Sequence, residues 1–291
     1  MNFASFARRI ALLTLVACAL PLAAQEKPEW TKPFPAFRIA GNLYFVGSQD
    51  LASYLIATPQ GLILINSSME VSVPLIRKSV ESLGFHFSDI KILLISHAHW
   101  DHCAGSARII QVTHAKYFVM DGDVSVVQSG GRTDFQYGTT MADRYPPAHV
   151  DRVLHDNSIV SLGGTVLTAH LTPGHTRGTT TWTLDETESG RVMHVVIVGS
   201  PNVNPGYKLV QNKAYPQIAA DYKRGFRTLE ELPCDIFLGA HGSYFDLTDK
   251  YPRWKNGDVS VFIDPAGYKA YIADREQAFE TELKRQSAPQ K

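Results

Sequence analysis

Apolar residues along the chain fall into two patterns: short continuous or alternating runs, and longer stretches with helical spacing. Short runs rich in β-branched residues predict strands, because such side chains pack well on a pleated surface. The continuous apolar run at 90–95 is typical of a strand covered on both faces. Residues 53–68 predict a hairpin that turns at Pro59-Gln60-Gly61. The other predicted strands lie within 42–47, 115–121, 158–173, 179–186, 192–200 and 234–242.

Helical periodicity alternates with these strands in both halves of the chain. The predicted helices are 71–85, 106–114, 218–232 and 268–286. Two successive halves of strands and helices predict an α/β fold, a layered sandwich with sheets inside and helices outside. Residues 130–147 show no periodicity and carry several aromatic side chains. Long irregular loops of this kind are often functional.

The N-terminal 24 residues have the pattern of a secretory signal peptide. Arg8 and Arg9 precede an apolar run that is too short for a stable membrane span. We expect cleavage near Ala24, which leaves residues 25–291 as a single domain in the periplasm. A lipid anchor at Cys18, in the sequence LVAC, is the alternative; the apolar residues that follow Cys18 disfavour it.

Charge and cysteine content limit the partners that the chain can have. The 28 basic and 28 acidic side chains balance, so composition gives no case for nucleic acid or for stable association with an anionic membrane. A monomer is the default expectation.

Of the cysteines, Cys103 and Cys234 remain after the predicted cleavage. An oxidising compartment permits a bridge between them, and the sequence leaves open whether they are bridged or free.

The segment SHAHWDH, residues 96–102, follows the apolar run 90–95 directly. In an extended chain His97 and His99 point the same way, so both imidazoles can reach one ion. Asp101 and His102 follow after a bend and can face a second ion. Imidazole together with carboxylate suits zinc.

Two further histidines also stand at the ends of apolar runs, beside glycine. His175 lies in LTPGHTRGTTT and His241 lies in IFLGAHGSY. Three strand ends that each deliver histidine predict a site for two zinc ions per chain, with room for a shared water. The predicted ligands are His97, His99 and His175 for one ion, and Asp101, His102 and His241 for the other.

The motifs SHAHWDHCAG, TPGHTRGT and GAHG resemble, in this order, the ligand motifs of the metallo-β-lactamase superfamily. The resemblance spans roughly residues 38–290. It implies a four-layer αβ/βα sandwich of two mixed sheets with outer helices, and a dizinc site at one end of the sheets. Because the superfamily contains many kinds of hydrolase, the fold does not name a substrate.

Ser200 indicates which branch of the superfamily the chain resembles. Most hydrolytic members place a metal-bridging Asp at the end of the strand after the third ligand histidine, and here that strand ends VVIVGS. Serine at this position is similar to subclass B3 of the lactamases. Asn66 also stands where the superfamily often has Asp; it can form hydrogen bonds near the site but cannot supply charge.

Membership of subclass B3 implies hydrolysis of the β-lactam amide bond of antibiotics by a metal-bound hydroxide. Asp101 is expected to orient that hydroxide, and Tyr207 to donate a hydrogen bond to the oxyanion. Ser200, Asn202 and Asn204, together with Tyr207, are the expected contacts of the small-molecule substrate. Two alternatives stay open: another hydrolase on the same fold, such as a thioesterase or lactonase, and a zinc-binding protein without catalysis.

Overall fold

The strands form two mixed sheets in the computed structural model, which describes residues 27–188 and 190–289. The predicted signal peptide and Cys18 lie outside the described residues. The strands are β1 Phe37–Ala40, β2 Leu43–Phe45, β3 Tyr54–Thr58, β4 Gly61–Ile65, β5 Ile90–Leu94, β6 Lys116–Met120, β7 Arg152–Leu154, β8 Ser158–Leu162, β9 Thr165–Leu171, β10 Thr180–Glu188, β11 Arg191–Val198 and β12 Ile236–Gly239. The helices are α1 Pro28–Thr31, α2 Val73–Ser82, α3 Trp100–Cys103, α4 Ser106–Thr113, α5 Asp121–Gln128, α6 Ile218–Glu231, α7 Leu247–Lys255 and α8 Pro265–Ser287.

The first sheet contains seven strands in the order β1 to β7. Its first four strands are antiparallel, and β4 to β7 are parallel. The predicted hairpin is present as β3 and β4, which pair from Thr58 with Gly61 to Tyr54 with Ile65. Gly61 has a φ of 125°, and a Cβ there would meet the carbonyl oxygen of Asp89 at 2.9 Å, so this turn requires glycine.

The second sheet contains five strands in the order β12-β11-β10-β9-β8. Its pairs are antiparallel except for β11 with β12, which is parallel. Both sheets are therefore mixed, as the resemblance implied. The predicted segment 158–173 divides into β8 and β9 at Gly163-Gly164, where both glycines have positive φ.

The residues of β5 alternate between two hydrophobic clusters. Ile92 and Leu94 lie in the cluster between the sheets, whereas Leu93 and the following Ile95 face the cluster under α2, α4 and α5. This confirms the prediction of a strand covered on both faces. The helices α6 and α8 pack on the second sheet through residues such as Phe226 and Phe279. The order of layers is helix, sheet, sheet, helix, and the predicted fold class is confirmed.

Both described cysteines are free thiols, so the alternative of a disulfide between them is wrong. The physical reason is their separation: Cys103 is buried in the cluster under the first sheet, whereas Cys234 packs against the cluster between the sheets. Among residues 27–188 and 190–289, none of the helices is both long and apolar enough to cross a membrane.

Candidate metal centre

The segment that follows β5 is fixed at its first residue by both sheets. The Ser96 N–H donates to Oδ1 of Asn66 at 2.7 Å, and the Ser96 carbonyl accepts from the Thr180 N–H at 2.7 Å. Asn66 has a φ of 65°, which aims its side chain across the end of β5. Thr180 begins β10 of the second sheet. The histidines after Ser96 therefore start from a rigid base.

Three buried histidines form one donor cluster. The ring nitrogens offered by His97, His99 and His175 all lie within 4.8 Å of one another. The ring centroids are 4.8 Å apart for His97 and His99, and 4.6 Å apart for each of the two pairs with His175. Nδ1 of His175 lies 2.8 Å from the Asn202 carbonyl oxygen. A protonated Nδ1 that donates there leaves the Nε2 lone pair of His175 free for a metal.

Asp101, His102 and His241 form a second donor cluster. Nε2 of His102 lies 3.1 Å from Nε2 of His241 and 3.2 Å from Oδ2 of Asp101. Nε2 of His241 lies 3.7 Å from the same oxygen. Two ligand atoms about 2.0–2.1 Å from a tetrahedral zinc are themselves roughly 3.3 Å apart. These three donors therefore have the spacing and the chemistry that zinc requires.

The two clusters adjoin through His97. Its ring centroid is 4.3 Å from that of His102, and donor atoms of His97, Asp101 and His102 also lie within 4.8 Å of one another. The structure thus brings together all six side chains predicted to bind metal. They come from the end of β5, from the loop between β9 and β10, and from the residues after β12.

Burial favours the neutral form of four of these imidazoles. It lowers the pKa of His97 and His175 well below the usual value, that of His99 to about 4, and that of His102 to a smaller extent. Burial alone would raise the pKa of Asp101, but the neighbouring His102 and His241 offset this and hold that pKa below its ordinary value. Neutral imidazoles and an ionised carboxylate are the protonation states that a metal needs.

A carboxylate that the sequence did not reveal orients His241. Nδ1 of His241 lies 3.0 Å from Oδ2 of Asp50, which also accepts a hydrogen bond from Nε1 of Trp30 at 3.2 Å. Oδ1 of Asp50 accepts the Ser243 N–H at 2.9 Å. Asp50 lies 191 residues before His241 in a short segment between two strands, where a polar residue predicts nothing more than a turn.

The predicted substrate contacts lie beside the clusters, and each is already bonded within the protein. Oγ of Ser200 is 3.1 Å from the Tyr244 hydroxyl, to which Nδ2 of Asn202 donates at 2.7 Å. Nδ2 of Asn204 donates to the Tyr137 hydroxyl at 3.0 Å. Ser200 is buried, whereas Asn202 and Asn204 are half-buried. Each of these amides keeps a second N–H, which a ligand could accept while the bond to tyrosine stays in place.

Tyr207 lies beside the three-histidine cluster, and its role as an oxyanion donor stays a prediction. Its side chain is buried, and its hydroxyl donates to the carbonyl oxygen of His175 at 2.9 Å. The same hydroxyl lies 3.5 Å from Nε2 of His99. The Tyr207 hydroxyl therefore contacts two residues of the cluster, His99 and His175.

The aromatic loop 130–147 lies against the three-histidine cluster. The Tyr137 ring centroid is 5.2 Å from that of His99. Oδ1 of Asp134 accepts the N–H groups of Gln136 and Tyr137, and its Oδ2 lies 3.8 Å from Nε2 of His99. The Tyr145 hydroxyl donates to the Ala98 carbonyl at 2.8 Å. The loop therefore contacts the ligand segment in its middle, through Asp134 and Tyr137, and again near its C-terminal end, through Tyr145.

Known proteins are similar to this chain over nearly its whole length. The profile of the Metallo-beta-lactamase superfamily matches residues 51–188. The native FEZ-1 metallo-β-lactamase from Legionella gormanii is 57% identical with a TM-score of 0.88, and the match covers 89% of this chain and 99% of that one. GOB-18 from Elizabethkingia meningoseptica is 36% identical, with a TM-score of 0.85 and coverage of 90% and 97%. BJP-1, a subclass B3 enzyme of Bradyrhizobium japonicum, is 32% identical, with a TM-score of 0.84 and coverage of 89% and 97%. The chain belongs to the metallo-β-lactamase superfamily, and subclass B3 enzymes are among the structures that it resembles.

Proposed function

We propose that the protein is a zinc-dependent hydrolase that opens the amide bond of β-lactam antibiotics. The observation that carries the proposal is the convergence of five imidazoles and one carboxylate in two adjoining donor clusters. Similarity to FEZ-1 across 89% of the chain supports the same activity. We further propose export to the periplasm, on the signal-peptide pattern of residues 1–24.

We propose that each donor cluster holds one ion. The proposed ligands are His97, His99 and His175 for the first zinc and Asp101, His102 and His241 for the second. When bound, zinc supplies Lewis acidity, which polarises a carbonyl oxygen and lowers the pKa of water toward 7. The protein's own contribution is to hold six donors in place and, by burial, to favour the neutral form of four of the imidazoles.

Asp101 is the group that can orient the attacking water. Its carboxylate is ionised and lies between His102 and His241, so an oxygen remains an acceptor for a water O–H. Tyr207 serves in this proposal as a positioning residue, since its hydroxyl is bonded to the His175 carbonyl. The β-lactam carboxylate is assigned to Ser200, Asn202 and Asn204, which border the clusters.

The test is hydrolysis of a penicillin, a cephalosporin and a carbapenem by the purified protein, with a thioester and a lactone as comparison substrates. A chelator should abolish β-lactam turnover, and added zinc should restore it. His97→Ala and His241→Ala should each lower β-lactam turnover by more than about 100-fold. Removal of a residue that only hydrogen-bonds a metal ligand typically costs roughly 10- to 100-fold, and removal of the ligand itself should cost more. His155→Ala is the matched control, because that imidazole is 72% exposed. Faster turnover of the thioester or lactone than of every β-lactam would overturn the substrate assignment. Two bound zinc ions without any hydrolysis would overturn the enzymatic role.

A further inference from the structure

Asp123 is a buried carboxylate that the proposed function leaves without a role. It lies in the first turn of α5 and is 1% exposed. Its Oδ2 accepts the Ala98 N–H at 2.8 Å and the Thr176 hydroxyl at 2.8 Å. Its Oδ1 accepts the Gly178 N–H at 2.9 Å. A carboxylate this deeply buried is stabilised only by such donors, so the three bonds hold one arrangement of the surrounding chain.

The three donors belong to the two segments that carry the three-histidine cluster. Ala98 separates His97 from His99, and Thr176 follows His175 directly. One segment continues the first sheet, and the other connects strands β9 and β10 of the second sheet. Asp123 therefore joins the two sources of the cluster through a single side chain.

The backbone around Asp123 is shaped for this close approach. A Cβ on Gly178 would lie 2.6–2.7 Å from atoms of Asp123, and a Cβ on Gly122 would lie 2.5 Å from the backbone of Arg177. Both distances are shorter than any side chain tolerates, so only glycine lets α5 and the His175 loop touch. The Ala98 carbonyl accepts a hydrogen bond from the Tyr145 hydroxyl, so Ala98 is held through both its N–H and its carbonyl.

We infer that Asp123 is a positioning residue for the three-histidine metal site: it sets the distance between the pair His97 and His99 and the imidazole of His175. The inference rests on the metal site of the proposed function and extends it to a residue outside the ligand set. Asp123 touches neither an ion nor substrate in this role. Its effect is on how tightly one of the two ions is held.

Asp123→Asn is the first test, because an amide presents a donor to at least one of the three N–H and O–H donors. Zinc content per chain is measured against increasing chelator. We expect one ion to be lost at roughly 10- to 100-fold lower chelator strength than in the wild type, while the other is retained. Asp121→Asn is the matched control, since Asp121 begins the same helix and its side chain is 71% exposed. Equal retention of both ions by Asp123→Asn and the wild type would overturn the inference.

A second pair of variants separates positioning from a general loss of folding. Thr176→Val removes the hydroxyl that donates a hydrogen bond to Asp123, and Thr176→Ser keeps that hydroxyl. Zinc loss with Val but not with Ser supports the inference, and the same retention by both contradicts it. Hydrogen exchange of the metal-free protein adds a readout that needs no metal. The Ala98 and Gly178 amides should exchange faster in Asp123→Asn than in Asp121→Asn, and unchanged protection would count against the inference. A wild-type protein that binds no zinc would instead refute the proposed function.

Discussion

At the scale of single residues, the partner of one imidazole nitrogen decides what the other nitrogen can do. A neutral histidine donates from one ring nitrogen and accepts at the other. Asn202 and Asp50 each face Nδ1 of a ligand histidine, His175 and His241 respectively. In both cases Nε2 is left to face the centre of the site. These partners therefore fix the tautomer as well as the orientation of the ligands.

Replacement of Asp50 tests this dependence on an orienting partner. Asp50→Asn keeps the size of the side chain but puts an amide N–H among the donors from Trp30, His241 and Ser243. We expect zinc affinity at the Asp101, His102 and His241 cluster to fall by roughly 10- to 100-fold. Equilibrium zinc titration measures the change, with the exposed Asp249→Asn as control. Unaltered binding of both ions by Asp50→Asn would contradict the proposed role.

Tyr207→Phe distinguishes a positioning hydroxyl from an oxyanion donor. Removal of the hydroxyl leaves the buried His175 carbonyl without this donor, which costs about 1–3 kcal/mol in the free energy of unfolding. Because the O–H is committed to that carbonyl, we expect β-lactam turnover to fall by less than about tenfold. Denaturant unfolding and steady-state kinetics measure the two effects. A loss on the order of 100-fold in kcat without loss of stability would favour the oxyanion role.

The sequence predicted the proposed metal ligands but not the residues that position them through hydrogen bonds. His97, His175 and His241 stand out because histidine is scarce and each follows an apolar run. Asp50 and Asp123 carry no such signal, since an Asp in a turn or in the first turn of a helix is common for local reasons. Their partners are defined only by chain segments that meet in the folded protein.

At the scale of secondary-structure elements, prediction succeeded where hydrophobic periodicity was strong. The helices α2, α4, α6 and α8 were all expected from that periodicity. The helix α5 was missed because it follows directly on β6, and the Asp-Gly-Asp at its start reads as a turn. The helix α7 was also missed, because it contains Pro252. Proline in a helix removes a backbone donor, and a sequence pattern therefore argues against a helix there.

A buried carboxyl where β10 meets the turn between β1 and β2 gives a prediction about stability. Oε2 of Glu186 accepts the Asn42 N–H at 3.2 Å, whereas Oε1 has no partner within the described residues. Burial raises the pKa of Glu186 to about 7. The folded state therefore keeps a proton that the unfolded state releases between about pH 4.5 and 7. This contribution to stability is present below that range and is lost as the pH rises through 7.

Glu186→Gln should remove this pH dependence, because glutamine does not ionise. A shift of about 2.5 pKa units corresponds to roughly 3 kcal/mol. Glu186 borders a polar surface cavity of about 500 Å³. Water in this cavity screens the carboxylate, so the stability gained by Glu186→Gln should be smaller than this free-energy value. We expect the variant to be about 1–3 kcal/mol more stable than the wild type at pH 8 and nearly equal to it at pH 4. Urea unfolding at both values measures the difference, and equal stability at pH 8 would refute the prediction.

At the scale of the whole molecule, the metal centre joins the two sheets. The segment 97–102 follows the first sheet, whereas His175 and His241 belong to the second. The histidines at three apolar strand ends, together with the resemblance to the superfamily, predicted that these segments meet. The packing of loop 130–147 over the site was not predictable in detail, because it depends on single contacts such as that of Tyr145 with Ala98. Each bound ion is expected to act as a cross-link between the two halves.

Zinc should therefore stabilise the whole chain, and acid should remove the effect. In unfolded protein the imidazoles titrate near pH 6.5, whereas burial lowers the pKa of His99 to about 4 and those of His97 and His175 well below normal. As the pH falls below about 6.5, the unfolded state binds protons that the folded state does not, so the metal-free protein loses stability. In the folded protein the imidazoles of His97, His99 and His175 stay neutral and able to bind zinc until the pH approaches about 4. We expect Tm to be higher with zinc than without it at about pH 7.5 and pH 5.5, and the difference to vanish near pH 4.

Thermal unfolding of zinc-loaded and metal-free protein at these three pH values measures the difference in Tm. A zinc-dependent Tm that persists undiminished at pH 4 would show that the stabilising ion is held by groups other than these histidines.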